Sequence, residues 1–196
     1  TLNRERRRVR ETGLELALLS GREASEAQWQ HLHRFYRATF DRLGGVATLS
    51  LPFFLDVAAA LGERIVLVLA RAGGREVAGA ISFRSATTLY GRHWGCLADY
   101  DSLHFEACYY QGLEYCIDNG LQCFEPGAQG EHKIARGFLP ALTHSVHWIA
   151  DAGFRQAIAA FLARETPAVQ AYARNLLQHS PYRDENTPDA PAVAGP

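Results

Sequence analysis

Three consecutive strand patterns in the middle of the chain constrain its fold more than any other feature. Residues 65–70 form an unbroken apolar run, which is typical of a central strand covered on both faces. Residues 77–83 and 87–97 alternate between two faces, and turn-forming residues separate the three runs. Regular alternation in the last run would place Tyr90 and Trp94 on the same face. The sequence therefore predicts an antiparallel meander.

Amphipathic helices flank the meander. A capping box that begins at Ser25 starts the first helix, and Ser50 starts the second. After the meander, a helix is predicted from residue 101 or 102, either of which could cap it, to about residue 118. A final helix begins after Asp151, and Pro167 is expected to interrupt or restart it.

Further strands are predicted at residues 14–19, 121–124 and 139–149. A strand that rejoins the sheet after a helix must be parallel to its neighbour or reach it by a crossover. The chain is therefore expected to have an α/β (α+β) fold with a mixed sheet and helices on both faces. His144 and His147 would point apart on the last strand, and this orientation counts against a metal site there.

Composition and charge exclude several classes of function. With 20 Lys and Arg against 21 Asp and Glu, the net charge is −1, so no bulk electrostatic attraction favours DNA or a membrane surface. No apolar run reaches the roughly 18 residues that a membrane span needs. No secretory signal is visible either, and a cytoplasmic location is expected. Cys96, Cys108, Cys116 and Cys123 show no CxxC spacing and are interpreted as reduced, buried thiols.

Residues 124–138, FEPGAQGEHKIARGF, are unusually rich in functional groups. Glycines allow a backbone to approach a ligand closely, and a short helix that starts near Gly130 would direct N–H groups at an anion. Lys133 and Arg136 would share one face of that helix. The stretch therefore suits an anionic or acyl-bearing substrate, although it could also be a polar connection. Its candidate substrate-binding residues are Gln129, Gly130, His132 and Arg136, with Lys133 as a candidate catalytic residue.

A second group of candidates follows the meander in residues 98–111, ADYDSLHFEACYYQ. Ligands of such sheets bind where neighbouring strands diverge, near their carboxyl ends. This place is predicted between the strands that end near residues 97 and 124. Glu125 or Glu106 is the candidate base, and His104 is the reserve. Glu106 could instead be a carboxylate near the helix N-terminus that is simply stabilised by the helix dipole. The candidate binding residues here are Asp99, Tyr109 and Tyr110, and one of the tyrosines could return a proton to the leaving group.

Three blocks of sequence closely resemble the FemAB-like proteins of peptidoglycan biosynthesis or recognition, which belong to the GNAT superfamily of N-acetyltransferases. The blocks are LYGRHWGCLADYDSLHFEACYYQGLEYCIDNGL, EPGAQGEHKIARGFLP and HSVHWIADAGFRQAIAAFLARE. The resemblance runs from about Arg4 to Arg183. It implies a GNAT-like fold and transfer of an acyl or aminoacyl group to an amine. The acceptor would be a small molecule or a peptide, such as a peptidoglycan precursor of the cell wall, and the Fem transferases use aminoacyl-tRNA as donor.

Members of this family contain two GNAT-like halves, and the chain resembles the C-terminal half. The resemblance implies that residues 1–12 are a basic connection from a missing N-terminal half, against which the chain would pack. Residues 13–180 would be the GNAT-like domain, and residues 181–196, rich in Pro, Ala and acids, a disordered tail.

The chain departs from the pattern of its relatives at two places. The Q/R-x-x-G-x-G/A loop that holds coenzyme A in GNAT enzymes is replaced by GCLADYDSLHF. No cofactor is therefore certain, and the donor could be an aminoacyl-tRNA or an acyl-CoA. In HKIARGF, Lys133 matches the Phe-Lys-x-x-Phe-Gly-like pattern of Fem proteins, but His132 replaces the aromatic. Two alternatives stay open, namely a non-catalytic half that recognises a substrate or partner, and a cysteine hydrolase with Cys96 or Cys123 as nucleophile.

Overall fold

The computed structural model describes residues 2–128 and 130–182, and the chain divides into two units, Thr1–Ala128 and Gln129–Pro196. Gln129 and most of the predicted tail, from residue 183 onward, lie outside the described residues. The elements of the first unit are α1 (Leu2–Glu11), β1 (Glu15–Ser20), α2 (Glu26–Leu43), α3 (Leu51–Leu61), β2 (Ile65–Ala72), β3 (Arg75–Arg84), β4 (Thr88–Cys96), α4 (Leu103–Phe105), a π-helix (Glu106–Tyr110), α5 (Gln111–Asp118) and β5 (Cys123–Glu125). The second unit contains a 3-10 helix (Glu131–Arg136) and α6 (Ala152–Leu177).

The first unit is built on one five-stranded sheet with the strand order β1-β2-β3-β4-β5. Strands β1 to β4 are antiparallel neighbours, and β5 runs parallel to β4. The predicted meander is therefore confirmed. The short strand β5, which follows α5, runs parallel to β4, and parallel neighbours need a long crossover of this kind.

Helices cover both faces of this sheet, as the order of elements predicts. On one face, Tyr36 of α2 and Phe54 of α3 pack against Ile65 and other residues of β2 and β3. On the other face, Val9 of α1 and Leu103 of α4 belong to a cluster that includes residues of β2, β3 and β4. Both faces of β2 are thus covered, and this explains its unbroken apolar sequence.

The predicted helix starts are confirmed at three places. The Ser25 side chain accepts from the backbone N–H of Gln28, and the Gln28 side chain completes the capping box. Ser50 caps α3, and Asp151 caps α6 by accepting from the N–H of Phe154. By contrast, neither Asp101 nor Ser102 caps α4 through its side chain; Ser102 has a φ of 65°, and its hydroxyl donates to Asp101.

Helix α6 is continuous through Pro167, so the predicted interruption is wrong. Proline inside a helix removes one backbone hydrogen bond and crowds the carbonyl of the preceding turn. None of the 26 residues of α6 is buried. The backbone group that Pro167 leaves without its helical partner can therefore be hydrated.

The strand predicted at residues 139–149 is absent, because the described residues there form no regular structure. Val146 and Trp148 are 99% and 84% exposed. Alternation of apolar residues favours a strand only when a neighbouring strand pairs with its backbone, and none of the described strands does so here. His144 and His147 lie in this exposed segment, and His147 bonds to Ser145 at 2.8 Å.

A bulge in β4 changes which side chains face which helices. The register with β3 shifts so that Arg92 is an extra residue in β4. Tyr90 pairs with Phe83 on the face covered by α2 and α3, whereas Trp94 pairs with Ala80 on the opposite face. The predicted regular alternation, with Tyr90 and Trp94 on one face, is therefore wrong. The bulge turns Trp94 and Cys96 towards the face on which α4 lies.

Candidate functional site

A cavity of about 270 Å³ lies at the carboxyl end of β4. Its lining includes Asp99 and His104, two residues that the sequence predicts for a site at this strand end. Trp94, Cys96 and Arg42 also line it. The sequence does not predict Trp94 or Arg42 for this site. For Trp94 the reason is that the bulge, which turns its side chain towards the cavity, leaves no clear mark in the sequence.

The position of His104 follows from the start of helix α4. Leu103, the first residue of the helix, is only 1% exposed, so the next side chain is directed to the rim of the core. The imidazole of His104 lies among aromatic rings, with centroid distances of 5.6 Å to Trp94 and 5.4 Å to both Phe105 and Tyr109. Packing on several sides orients the ring, and an oriented imidazole is suited to general acid or base chemistry.

Arg42 supplies the positive charge of the cavity. It lies in the last turn of α2, and its Nη1 is 3.6 Å from the Asp99 carboxylate, which is almost fully exposed. Both terminal nitrogens also point at the sulfur of Cys96, at 3.7 and 3.8 Å. An ion pair this exposed contributes little to stability. Its main effect is therefore on the charge around the cavity.

Glu106, a predicted base, is held inside a charged cluster. Its side chain is 4% exposed, and Arg6 donates to both of its oxygens at 3.0–3.3 Å. Gln111 donates to the same carboxylate at 2.9 Å. Arg6 also binds Glu114 at 2.6 and 2.9 Å, and these hydrogen bonds lower the pKa of the Glu114 carboxyl. The surroundings of Glu106 therefore fit a structural anchor better than a mobile base.

The basic stretch at the start of the chain supplies this anchor. Residues 2–11 form helix α1, in which Val9 is buried and Arg6 reaches Glu106 and Glu114. Arg8 of the same helix pairs with Asp101 at 2.8 Å. The stretch is therefore part of the packed first unit.

A π-helical turn separates α4 from α5 and explains the burial of two predicted tyrosines. The N–H of Gln111 bonds to the carbonyl of Glu106, five residues back. Such a turn inserts one extra residue and is frequent at functional sites. Tyr109 and Tyr110 are both buried, and the Tyr110 hydroxyl donates to Glu5. Both tyrosines thus belong to the packing around His104 and α1.

Glu125, the other predicted base, lies away from this cavity. It ends β5 and pairs with Tyr90 near the start of β4. Cys96 lies six residues further along β4, which corresponds to about 20 Å at the usual rise of a strand. Because β5 has only three residues, it ends long before β4 does. The structure therefore brings Asp99 and His104 together but not Glu125 with them.

The second unit contains the remaining predicted site residues. Gly130, with a φ of 99°, precedes the 3-10 helix of residues 131–136, and this confirms the predicted short helix. Lys133 is buried, and Arg136 donates to the carbonyl of His132 at 2.7 Å. Burial and the charges of Arg136 and Lys133 lower the pKa of His132, which favours its neutral form. That these residues share a site with Glu106, Glu125 or His104 stays a prediction.

Other parts of the described chain offer weaker candidates. A cavity of about 340 Å³ between α2 and α3 contains none of the predicted site residues. In residues 2–128 and 130–182, no group of three or more His, Cys, Asp or Glu residues is arranged to hold a metal ion. Within the same ranges, no helix combines the length and apolar character that crossing a membrane requires. The four cysteines, all in the described chain, form no disulfide, but Cys123 is exposed rather than buried.

Comparison with known proteins decides the family. The profile of the FemAB-like family, described as peptidoglycan biosynthesis/recognition, matches residues 1–184. The chain belongs to the FemAB-like family. No match was found among curated protein sequences.

The fold of this FemAB-like chain is that of GNAT acetyltransferases. It is similar to an aminoglycoside acetyltransferase from an uncultured soil metagenomic sample, solved with sisomicin, with a TM-score of 0.52 and 12% identity over 72% of this chain and 97% of that one. It is also similar to a possible acetyltransferase from Clostridium difficile 630, with a TM-score of 0.50 and 10% identity over 70% of this chain and 99% of that one. These likenesses show a mixed sheet with the acyltransferase fold.

The loop after β4 does not fit the pyrophosphate of coenzyme A. It contains no glycine between Leu97 and Glu106, so its backbone has no site for close approach. It carries the carboxylates of Asp99 and Asp101, and α4 has only three residues before the π-turn. Negative charge and a minimal helix both oppose binding of a diphosphate.

Proposed function

We propose that this FemAB-like protein is an N-acyltransferase that transfers an acyl or aminoacyl group to an amine of a peptidoglycan precursor in the cytoplasm. The family match and the GNAT fold support the reaction class. The observation that carries the proposal is the cavity at the end of β4, where His104 is oriented by aromatic rings. A titratable group in a cavity at the carboxyl end of a strand could accept a proton during acyl transfer.

In the proposed reaction, a neutral amine attacks the carbonyl carbon of the donor. The new C–N bond forms, the bond from the carbonyl to the leaving oxygen or sulfur breaks, and the leaving group takes up a proton. His104 accepts the proton that the amine loses, and Glu106 with Arg6 fixes the helix that carries His104. Lys133 and Arg136 are retained as predicted donor-binding groups.

The donor in this proposal is an aminoacyl-tRNA rather than coenzyme A. The acidic loop after β4 lacks the features that bind a diphosphate, and no step of the reaction requires coenzyme A. A charged tRNA offers the carbonyl as an ester of a ribose hydroxyl, which is a sufficient leaving group. The acceptor is an amine on a small molecule or peptide.

The His104→Ala variant is expected to lower transfer from a charged tRNA to an amine-bearing stem peptide by about 10²- to 10⁴-fold, the usual contribution of a general base. Binding of the donor, measured by titration with charged tRNA and separately with acetyl-coenzyme A, should stay near that of the parent. His144→Ala, in an exposed segment, is the matched control. Equal transfer by both variants would remove His104 from the mechanism.

The same titrations test the predicted role of Lys133. The Lys133→Ala variant should lose donor binding if its ammonium contacts the donor, and its thermal unfolding curve separates this loss from misfolding. Parent-like donor binding in a folded variant would contradict the assignment.

The alternative function is recognition without catalysis. The absence of a diphosphate-binding loop favours it, as does the neutralisation of Glu106 by Arg6. A recognition domain would bind the stem peptide but neither charged tRNA nor acetyl-coenzyme A. Titration with all three therefore separates the two functions.

The exposed apolar side chains of the second unit support a further GNAT-like domain as partner. Trp148, Phe154, Phe161 and Tyr172 are 48–84% exposed. At 150–250 Å² per aromatic side chain, they alone leave about 500 Å² open. A standard protein–protein interface buries about 800 Å² per partner. The exposed area of these four side chains is therefore a substantial part of what one such interface needs.

The double variant Phe154→Ser, Phe161→Ser is expected to bind less of a hydrophobic fluorescent dye and to aggregate less in light scattering than the parent. Neither side chain is buried, so thermal unfolding of the first unit should be unchanged. Unchanged dye binding would show that Phe154 and Phe161 do not belong to the apolar surface that binds the dye.

A further inference from the structure

The cavity at the end of β4 contains a thiol whose surroundings differ from those of the other cysteines. Cys96 is 8% exposed and lines the cavity together with His104. Both terminal nitrogens of Arg42 point at its sulfur, at 3.7 and 3.8 Å. Hydrogen-bond donors with a full positive charge favour a thiolate over a thiol.

The groups around Cys96 come from three segments. Arg42 reaches its sulfur from α2, whereas Asp99 and Tyr100 of the loop after β4 and His104 of α4 line the same cavity. The negative charge of Asp99 would disfavour a thiolate at Cys96. The Asp99 side chain, however, is 99% exposed and already interacts with Arg42. Water screens an exposed carboxylate more strongly than it screens the Arg42 contact at the buried sulfur.

Two of the other thiols, Cys116 and Cys123, have less favourable surroundings for a nucleophile. Burial raises the pKa of Cys116 to about 11, and Cys116 does not border the cavity. Burial and the nearby Glu125 carboxylate raise the pKa of Cys123. Cys123 is exposed, however, and thus serves as a reference for accessibility.

We propose that Cys96 is a nucleophile of this site, which takes the acyl group from the donor as a thioester and then passes it to the amine. This inference rests on the proposed acyl transfer and adds a covalent intermediate to it. The cavity, the two guanidinium donors on the sulfur and the neighbouring imidazole carry it.

The two steps balance without an oxidant or a further reactant. First, the Cys96 sulfur forms a bond to the carbonyl carbon, the bond to the donor oxygen or sulfur breaks, and the leaving group takes the thiol proton. Second, the amine forms a bond to the same carbon, the C–S bond breaks, and the thiolate returns beside Arg42. His104 takes the proton that the amine loses in the second step and passes it to the sulfur, which restores the thiol.

The first experiment measures alkylation of the whole chain by iodoacetamide, with each cysteine followed by peptide mass spectrometry against pH. Cys96 should be modified although it is only 8% exposed, because it lines the cavity. Arg42→Gln should slow its modification at pH 7 by about tenfold, because the two charged donors that face the sulfur are lost. Cys123 is the internal control and should be modified at the same rate in both proteins. Equal rates at Cys96 in both proteins would overturn the proposal.

The second experiment uses p-nitrophenyl acetate as the acyl probe. The parent should gain one acetyl group on Cys96 that hydroxylamine removes, and Cys96→Ala should gain none there. Cys96→Ala should also lower transfer from charged tRNA to the stem peptide at least tenfold. Full transfer by Cys96→Ala would overturn the covalent intermediate but leave the proposed function intact. Absence of transfer in the parent as well would overturn both.

Discussion

Replacing Gly95 with alanine is expected to destabilise the protein by about 3 kcal/mol or more, at or beyond the upper end of ordinary overpacking. A Cβ atom at this position would lie 2.1 Å from the carbonyl oxygen of Phe35 and 2.3 Å from its carbonyl carbon. Both atoms belong to the backbone of α2, so no rotamer change can relieve the clash. Thr39 of the same helix also bonds to the carbonyl of Trp94 at 2.9 Å, which fixes the helix against β4.

Gly91→Ala on the same strand provides the matched control. The nearest atom to a Cβ there is the Cα of Pro126 at 3.4 Å, which is ordinary contact. Its stability should stay within about 1 kcal/mol of the parent. Urea unfolding followed by tryptophan fluorescence measures both variants, and the midpoint should fall for Gly95→Ala. Similar midpoints for the two variants would mean that α2 does not lie against β4 as described.

The elements that the sequence predicts well are those with local signals. Each helix start at Ser25, Ser50 and Asp151 depends on a side chain that bonds to the backbone three residues ahead. These starts can therefore be predicted from the local sequence without knowledge of tertiary contacts. The position of β2 can be predicted because a central strand covered on both faces has a continuous apolar sequence. The order of these elements is enough to predict a mixed sheet with helices on both faces.

The features that the sequence misses depend on contacts between distant residues. Arg6 and Glu106 are one hundred positions apart, so a basic stretch could be interpreted as solvated while its central arginine binds a buried carboxylate. The bulge at Arg92 moves Trp94 to the other face, and only the register with β3 shows it. Residues 139–149 have a strand pattern, but the chain does not encode locally whether a neighbouring strand is present. The candidate cavity was predicted only in part for the same reason.

The Arg6→Ala variant is expected to lose about 3 kcal/mol of stability at pH 7, the lower end of the cost of removing one partner of a buried ion pair. It leaves Glu106, whose side chain is 4% exposed, with the amide of Gln111 as its remaining donor from this cluster. Arg7→Ala is the matched control on the same helix. The Arg7 side chain is 69% exposed and lies 3.8 Å from Glu11, so its loss should change stability by less than about 0.5 kcal/mol.

The pH dependence of this loss follows from the direction of one pKa shift. Arg6 lowers the pKa of Glu114 below its ordinary value of 4.5. The stabilisation that this shift represents is present above pH 4.5 and is lost as the pH falls through the lower pKa of the folded state. The difference in unfolding free energy between parent and Arg6→Ala should therefore be largest near pH 7 and shrink below pH 4.5.

The double variant Arg6→Ala, Glu106→Gln separates a missing ion pair from a loss of packing. An uncharged amide in place of the buried carboxylate removes the uncompensated charge, so the double variant should recover part of the stability that Arg6→Ala loses. Urea midpoints at pH 7 and pH 4 measure both effects. If Arg6→Ala unfolded at the same midpoint as Arg7→Ala, the contact of α1 with Glu106 would not stabilise the protein, and Glu106 would again be a candidate base. A large loss with partial rescue instead means that Arg6 holds Glu106 in place, and it leaves His104 as the candidate base of the proposed site.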